Sequence, residues 1–206
     1  GDAVTLDLEL GGGSPPVAAA QLEVQRHGVS GVQVLAASES LIIADTSADP
    51  RLLAADLLNE AEHGPDSSSV LVLWQPELLD ALTPELERQL AALPEPRRGY
   101  AEKALGVNGG AVVVRDHAEA IEVANAYAPE HMQIATEDPE AVLAEIDHAG
   151  EVLLGQWATF SAGNYLIGIP AALPTSGYAR VSSGVTAVSF TKTISIATAT
   201  REALAD

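Results

Sequence analysis

Two acid–imidazole pairs stand out among the five histidines of this chain. In the stretch NAYAPEHMQI (residues 125–134) a helix-like run is cut by Pro129, and Glu130 and His131 follow at once. An imidazole with an ordinary pKa of about 6.5 beside a carboxylate can exchange protons near neutral pH, which is general acid–base chemistry. Two solvated residues in a connector would carry the same sequence, because chain neighbours can simply point apart and face water. The second pair sits in NEAEHGPD (residues 59–66), where Glu60 and His63 are spaced i, i+3 in the last turn of a helical run. That spacing puts both side chains on one helix face. Together they could seat a divalent cation at the negative end of the helix, with further ligands from elsewhere in the chain. A histidine capping the helix beside a surface glutamate is the alternative. His27, His117 and His148 lie on helical stretches among charged neighbours and are expected at the surface, whereas Met132, Trp74 and Trp157 are expected to pack.

The elements that must carry these residues alternate. SLIIAD (40–45) is a short apolar run bounded by turn formers, the pattern of a buried parallel strand. Asp49 then caps a helix with Pro50 in its first turn, an apolar stripe of Leu52, Leu53, Leu57, Leu58 and Ala61, and an end at Gly64-Pro65. SVLVLW (69–74) is a second strand, and the helical stretch after it restarts at Thr83-Pro84 and runs to about Leu93. GAVVVRD (110–116) and EVLLG (151–155) are a third and a fourth strand. Helices are expected at 117–127 and from Asp138-Pro139 to about His148, and an earlier one at 17–27 follows the loop GGGSPP (11–16). This alternation predicts an α/β, three-layer α/β/α domain with a mostly parallel sheet. Ligands of such sheets collect at the carboxyl ends of the strands, whereas Ser38 lies just before a strand, at its entrance. After Gly155 the pattern dissolves into Gly, Pro, Ser and Thr, and a loop-rich segment of that length is expected to be functional or covering. The GGGS run does not follow a strand in the GxGxxG register and is a weak dinucleotide signal.

The chain has 206 residues, 47% of them apolar, enough to bury a core. Its 29 acidic residues against 8 Arg and 2 Lys leave a formal charge of −19, which repels nucleic acid and anionic lipid, so neither is expected as a partner. The absence of cysteine excludes disulfides, thiolate metal sites and cysteine nucleophiles, and leaves the cytoplasm as the default compartment. No apolar run approaches the roughly 20 residues needed to cross a bilayer. The first residue is Gly, which points to a processed chain or a piece of a longer reading frame.

Taken in order, LIIADTSADPRLLAADLLNEAEHGPDSSSVLV, IEVANAYAPEHMQI, GEVLLG and LPTSGYARVSSGVTAVSFTKTISI resemble the C-terminal half of the histidinol dehydrogenase family, with YAPEH as the most specific segment. The resemblance covers about residues 5–200. It implies a Rossmann-like fold, zinc and NAD as cofactors, a homodimer, and oxidation of L-histidinol through an aldehyde to L-histidine, the last step of histidine biosynthesis. It implies that Glu130 activates water for the second oxidation and that His131 takes the alcohol proton. His63 matches a zinc ligand, Ser38 a substrate-contacting serine, and Ser14 falls where the family has an NAD-contacting Asn. Glu60 and Asn164 stand where the family has a zinc-binding Gln and Asp, so the ligand set Glu60, His63 and Asn164 keeps one carboxylate and one amide. These three, with Ser38 and His131, are also the expected substrate-binding residues.

Other departures are plain in the sequence. Pro170-Ala171 replaces an Asn-His pair that commonly precedes the Leu-Pro-Thr segment. Residues 1–37 are expected to be a remnant of the nucleotide-binding Rossmann-like domain, 38–196 the Rossmann-like half that carries the catalytic pair, and 197–206 a truncated tail. The architecture is then incomplete relative to the family's two domains, and the isolated chain is expected to be inactive. The family's longer tail supplies a fourth zinc ligand and a substrate-binding Glu, and no residue of this chain can be assigned to either role. A family enzyme acting on another polar alcohol, and a non-catalytic remnant serving as an assembly partner, are the two alternatives.

Overall fold

The structure, a computed structural model, describes residues 38–170 and 172–204. The helix expected at 17–27, the 1–37 segment and Ser14 lie outside the described residues.

Among the described residues five strands form one wholly parallel sheet: β1 (Glu39–Ala44), β2 (Ser68–Leu73), β3 (Gly110–Val113), β4 (His131–Ala135) and β5 (Glu151–Leu154). Their order across the sheet is β3-β2-β1-β4-β5. Every residue of β1 and β2 is buried, because helices cover both faces. The period-2 pleat sorts their side chains. Ile42, Ala44, Leu71 and Leu73 enter one core with the helices α1 (Pro50–Ala61), α2 (Glu77–Ala92) and α3 (Arg97–Gly106). Leu41, Ile43, Val70, Val72, Met132 and Ile134 enter the other, against α4 (His117–Tyr127) and Val142 of α5 (Pro139–Leu143). The three-layer α/β fold expected from the alternation is the fold observed.

Four details differ from the sequence expectation. HMQIA, which follows the YAPE turn, is a strand and lies in the sheet between β1 and β5, so the sheet has five strands rather than four. His131 to Ile134 do alternate polar and apolar, but a run so short has no diagnostic period, and all five residues are buried because both faces are covered. Helix α2 does not restart at Pro84 but runs through it, with Leu78, Leu82, Leu86 and Leu90 buried as a continuous stripe. Burial of that stripe outweighs the loss of one backbone hydrogen bond on the exposed side. Helix α3 has no strong periodicity in the sequence and is held by Ala101, Ala104 and Leu105. The helix opened by Asp138 stops at Leu143, well short of His148.

Met132 is fully buried and Trp74 packs edge-on against His117, as expected, but Trp157 is 78% exposed and does not pack. Beyond β5 the chain makes a helical turn (Phe160–Ala162), a π-helical turn (Gly163–Ile167) and short 3-10 turns separated by irregular backbone. Among the described residues no helix is long and apolar enough to cross a membrane.

Candidate functional site

The YAPEH segment owes its position to a local conflict. Helix α4 ends at Tyr127, and Ala128 adopts a left-handed conformation (φ 54°) with its N–H bonded to the Ala124 carbonyl. Pro129 cannot continue the helix, so the chain reverses and delivers Glu130 to the entrance of β4. Glu130 Oε2 accepts hydrogen bonds from Ser38 Oγ and from the Glu39 N–H, both at 3.1 Å. Ser38 is thus bound to the catalytic candidate across the entrance of the neighbouring strand β1.

His131 is the first residue of β4 and is 5% exposed. Its Nε2 lies 3.7 Å from Glu130 Oε1, and its Nδ1 lies 2.5 Å from Glu151 Oε1. Phe160 meets the ring edge-on at a centroid distance of 5.8 Å. His131 shares its pleat face with Gln133, which reaches Asp56 of α1, so the imidazole points toward the α1 layer. That layer brings Glu60: α1 returns antiparallel to the strands, and its C-terminal end comes back to their amino edge. Glu60 is buried and its Oε1 has no hydrogen-bond partner among the described residues. His63 is half-exposed, with Nδ1 bonded to the Asn59 carbonyl at 2.8 Å and 4.0 Å from Glu60 Oε1. Asn164 lies in the π-helical turn, partly exposed, and Ser161 of the preceding turn bonds Asn59 at 2.9 Å.

The site therefore gathers at the amino edge of the sheet rather than the carboxyl edge. Ser38, Glu39, Glu130, His131 and Glu151 stand at or beside the entrances of three adjacent strands, β1, β4 and β5. Glu39, Glu60, Glu130 and Glu151 are all buried carboxylates. Glu39 accepts the Ser176 N–H at 2.9 Å and so ties the Leu-Pro-Thr-Ser loop to the entrance of β1. Burial raises the pKa of Glu130, and the repulsion of Glu60 adds to this; the His131 charge and the bonds from Glu39 N–H and Ser38 oppose it without cancelling it. For His131 burial favours the neutral ring, but the Glu151 hydrogen bond and the charges of Glu60, Glu130 and Glu151 outweigh it, so its pKa rises. A carboxylate and an imidazole held side by side with raised proton affinities can move protons to and from a bound hydroxyl or water.

Glu39 and Glu151 were not foreseen. A charged residue opening an apolar run reads as a solvated strand end, and Glu151 meets His131 only because β4 and β5 pair in the register His131–Glu151. Phe160 and the Asp56–Gln133 pair were also not foreseen, since nothing local in the chain marks them.

The fit of a metal ion rests on two features. Glu60 Oε1 is a buried oxygen without a partner among the described residues, and the bond from His63 Nδ1 to Asn59 leaves Nε2 available. Carboxylate oxygen, imidazole nitrogen and the Asn164 amide oxygen suit zinc in kind. Among the described residues no three His, Asp or Glu side chains lie together closely enough to hold a metal, so the set would depend on Asn164 or on ligands from outside them.

Residues 5–206 match the family model for histidinol dehydrogenase. Histidinol dehydrogenase of Synechocystis sp. is 42% identical over 82% of this chain and 39% of its own length. That of Thermus thermophilus is 43% identical over 93% of this chain and 45% of its own. The crystal structure of histidinol dehydrogenase from Elizabethkingia anophelis superposes with a TM-score of 0.70 at 41% identity, covering 85% of this chain and 40% of the other. The chain thus spans less than half the length of the relatives it matches. On the strength of the family match and these relatives, this chain belongs to the histidinol dehydrogenase family.

Proposed function

We propose that the chain contributes the proton-handling half of a histidinol dehydrogenase site, which oxidises L-histidinol to L-histidine by way of the aldehyde. The observation that supports this most directly is the buried pair Glu130–His131 with Ser38 bonded to Glu130, anchored at the entrances of β1 and β4. His131 Nε2 takes the proton of the substrate hydroxyl as the carbon–hydrogen bond gives up its hydride. At the aldehyde stage Glu130 takes a proton from water, whose oxygen then adds to the carbonyl carbon. Ser38 holds Glu130 and, with Glu60, His63 and Asn164, lines the substrate side. When bound, zinc supplies Lewis-acid polarisation of the substrate's amino alcohol and NAD supplies the hydride acceptor. Glu60, His63 and Asn164 would hold the zinc, and Ser14 would contact the NAD. Residues 38–196 form the Rossmann-like unit that positions the catalytic pair. Assembly as a homodimer is part of this reading and is supported by the exposed apolar side chains Val188, Phe190, Ile194 and Ile196. A cytoplasmic enzyme is the corresponding location.

The test is NADH formation from L-histidinol, NAD and zinc by a full-length family enzyme that carries this chain in place of its own matching segment. Two NADH per substrate are expected, falling to one with Glu130→Gln and to none with His131→Asn. Turnover unaffected by either substitution would exclude this reading. The exchange of the family's zinc-binding Gln and Asp for Glu60 and Asn164 favours a second reading, a non-catalytic assembly partner. A cooperative melt with neither zinc uptake nor NADH formation would decide for it.

A further inference from the structure

We propose that Glu151 is a positioning residue for His131: it fixes the ring with the proton on Nδ1 and leaves Nε2 as the acceptor facing Glu130 and the reacting hydroxyl. The inference rests on the dehydrogenase reading above for its consequence, but its geometry stands by itself. His131 and Glu151 are register partners in the parallel pair β4–β5, so their side chains lie side by side on one face of the sheet. The backbone beneath them is locked twice, by Gly150 N–H to the Pro129 carbonyl at 2.9 Å and Glu151 N–H to the Glu130 carbonyl at 3.0 Å. Both side chains are buried, and Phe160 limits rotation of the ring from the side.

The tautomer follows from distance. With the proton on Nε2, the lone pair of Nδ1 would face a carboxylate oxygen at 2.5 Å, two acceptors in contact. With the proton on Nδ1, the same pair is a short charge-assisted hydrogen bond. The opposite nitrogen then presents its lone pair toward Glu130, 3.7 Å away, where a substrate hydroxyl can enter. A purely structural role is a poor account of Glu151. Its second oxygen is buried and has no partner among the described residues, a cost that an apolar residue at this strand entrance would avoid. An imidazole oriented by a carboxylate on its far nitrogen is the arrangement that makes the near nitrogen an effective base.

The experiment is two-bond proton–nitrogen NMR of the whole chain labelled with 15N-histidine, the His131 signals being assigned by their loss in His131→Gln. Above the raised His131 pKa, at a pH where its signals no longer change, the unmodified chain is expected to show a protonated Nδ1 and a bare Nε2. Glu151→Met, which keeps the volume but cannot accept, should move the proton to Nε2. Glu151→Gln, which pairs with either tautomer, should weaken the proton affinity of His131 about tenfold. Retention of the Nδ1–H form in Glu151→Met would overturn the proposal. If that variant fails to fold, an unchanged proton affinity in Glu151→Gln overturns it equally. NADH formation measured in parallel should fall in kcat with little change in KM. Nδ1–H in the unmodified chain, with no turnover by the full-length enzyme that carries it, would remove the dehydrogenase reading and leave the positioning of His131 intact.

Discussion

Asp56 offers a stability prediction whose size comes directly from its surroundings. It sits in the middle of α1, 3% exposed, and accepts hydrogen bonds from Gln133 Nε2 at 2.9 Å and the Phe160 N–H at 3.3 Å. Burial raises its pKa from the ordinary 3.8 to about 6, even though both hydrogen bonds favour the charged form. A carboxyl whose folded pKa is raised stabilises the fold fully below its unfolded pKa, and that contribution is lost as pH rises through the folded value. The gap between 3.8 and about 6 corresponds to about 3 kcal/mol, withdrawn between roughly pH 4 and pH 7. The comparison to make is with Asp56→Asn, which stays neutral throughout. Its own cost is a mispaired hydrogen bond, about 1–3 kcal/mol and independent of pH. Urea melts of both chains at intervals from pH 4 to pH 8 give the difference in unfolding free energy. That difference should drift toward the Asn variant by about 3 kcal/mol as pH rises. The other titrating groups, including those behind the net charge of −19, act on both chains and cancel in the difference. A flat difference, or a drift toward the unmodified chain, would refute the claim that burial dominates at Asp56.

Three further outcomes are expected. A Cβ at Gly150 would stand 2.5 Å from the Glu130 carbonyl oxygen and 3.2 Å from Pro174 Cδ, so Gly150→Ala should lose about 1–3 kcal/mol in denaturant melts and displace the Glu130–His131 backbone. Pro84 lies on the exposed side of α2, and Pro84→Ala restores an N–H to the helix; a gain of about 1–3 kcal/mol and a higher Tm should follow. Phe160 is fully buried against His131, and Phe160→Ala should cost about 3–5 kcal/mol in the same melts while broadening the His131 ring signals.

The chain's local chemistry determines a great deal of this protein. The Asp49-Pro50 start of α1 and the apolar runs of β1 and β2 are short-range signals, and each marks its element within a residue or two. The same holds for the turn at Pro129, where a proline after a left-handed residue forces the reversal that presents Glu130 and His131. Tertiary structure alone decided the rest. Whether HMQIA was a strand depended on a vacant edge beside β1, and whether α2 passed Pro84 depended on a leucine stripe having helix α1 to pack against. The site lies at the amino edge of the strands because α1 runs back antiparallel and returns Glu60 and His63 to that edge, a consequence of chain direction that no local pattern carries. Most of all, the partner of His131 Nδ1 is twenty residues away in sequence and directly opposite in space. Strand register makes such neighbours, and register is set by which faces the whole fold buries.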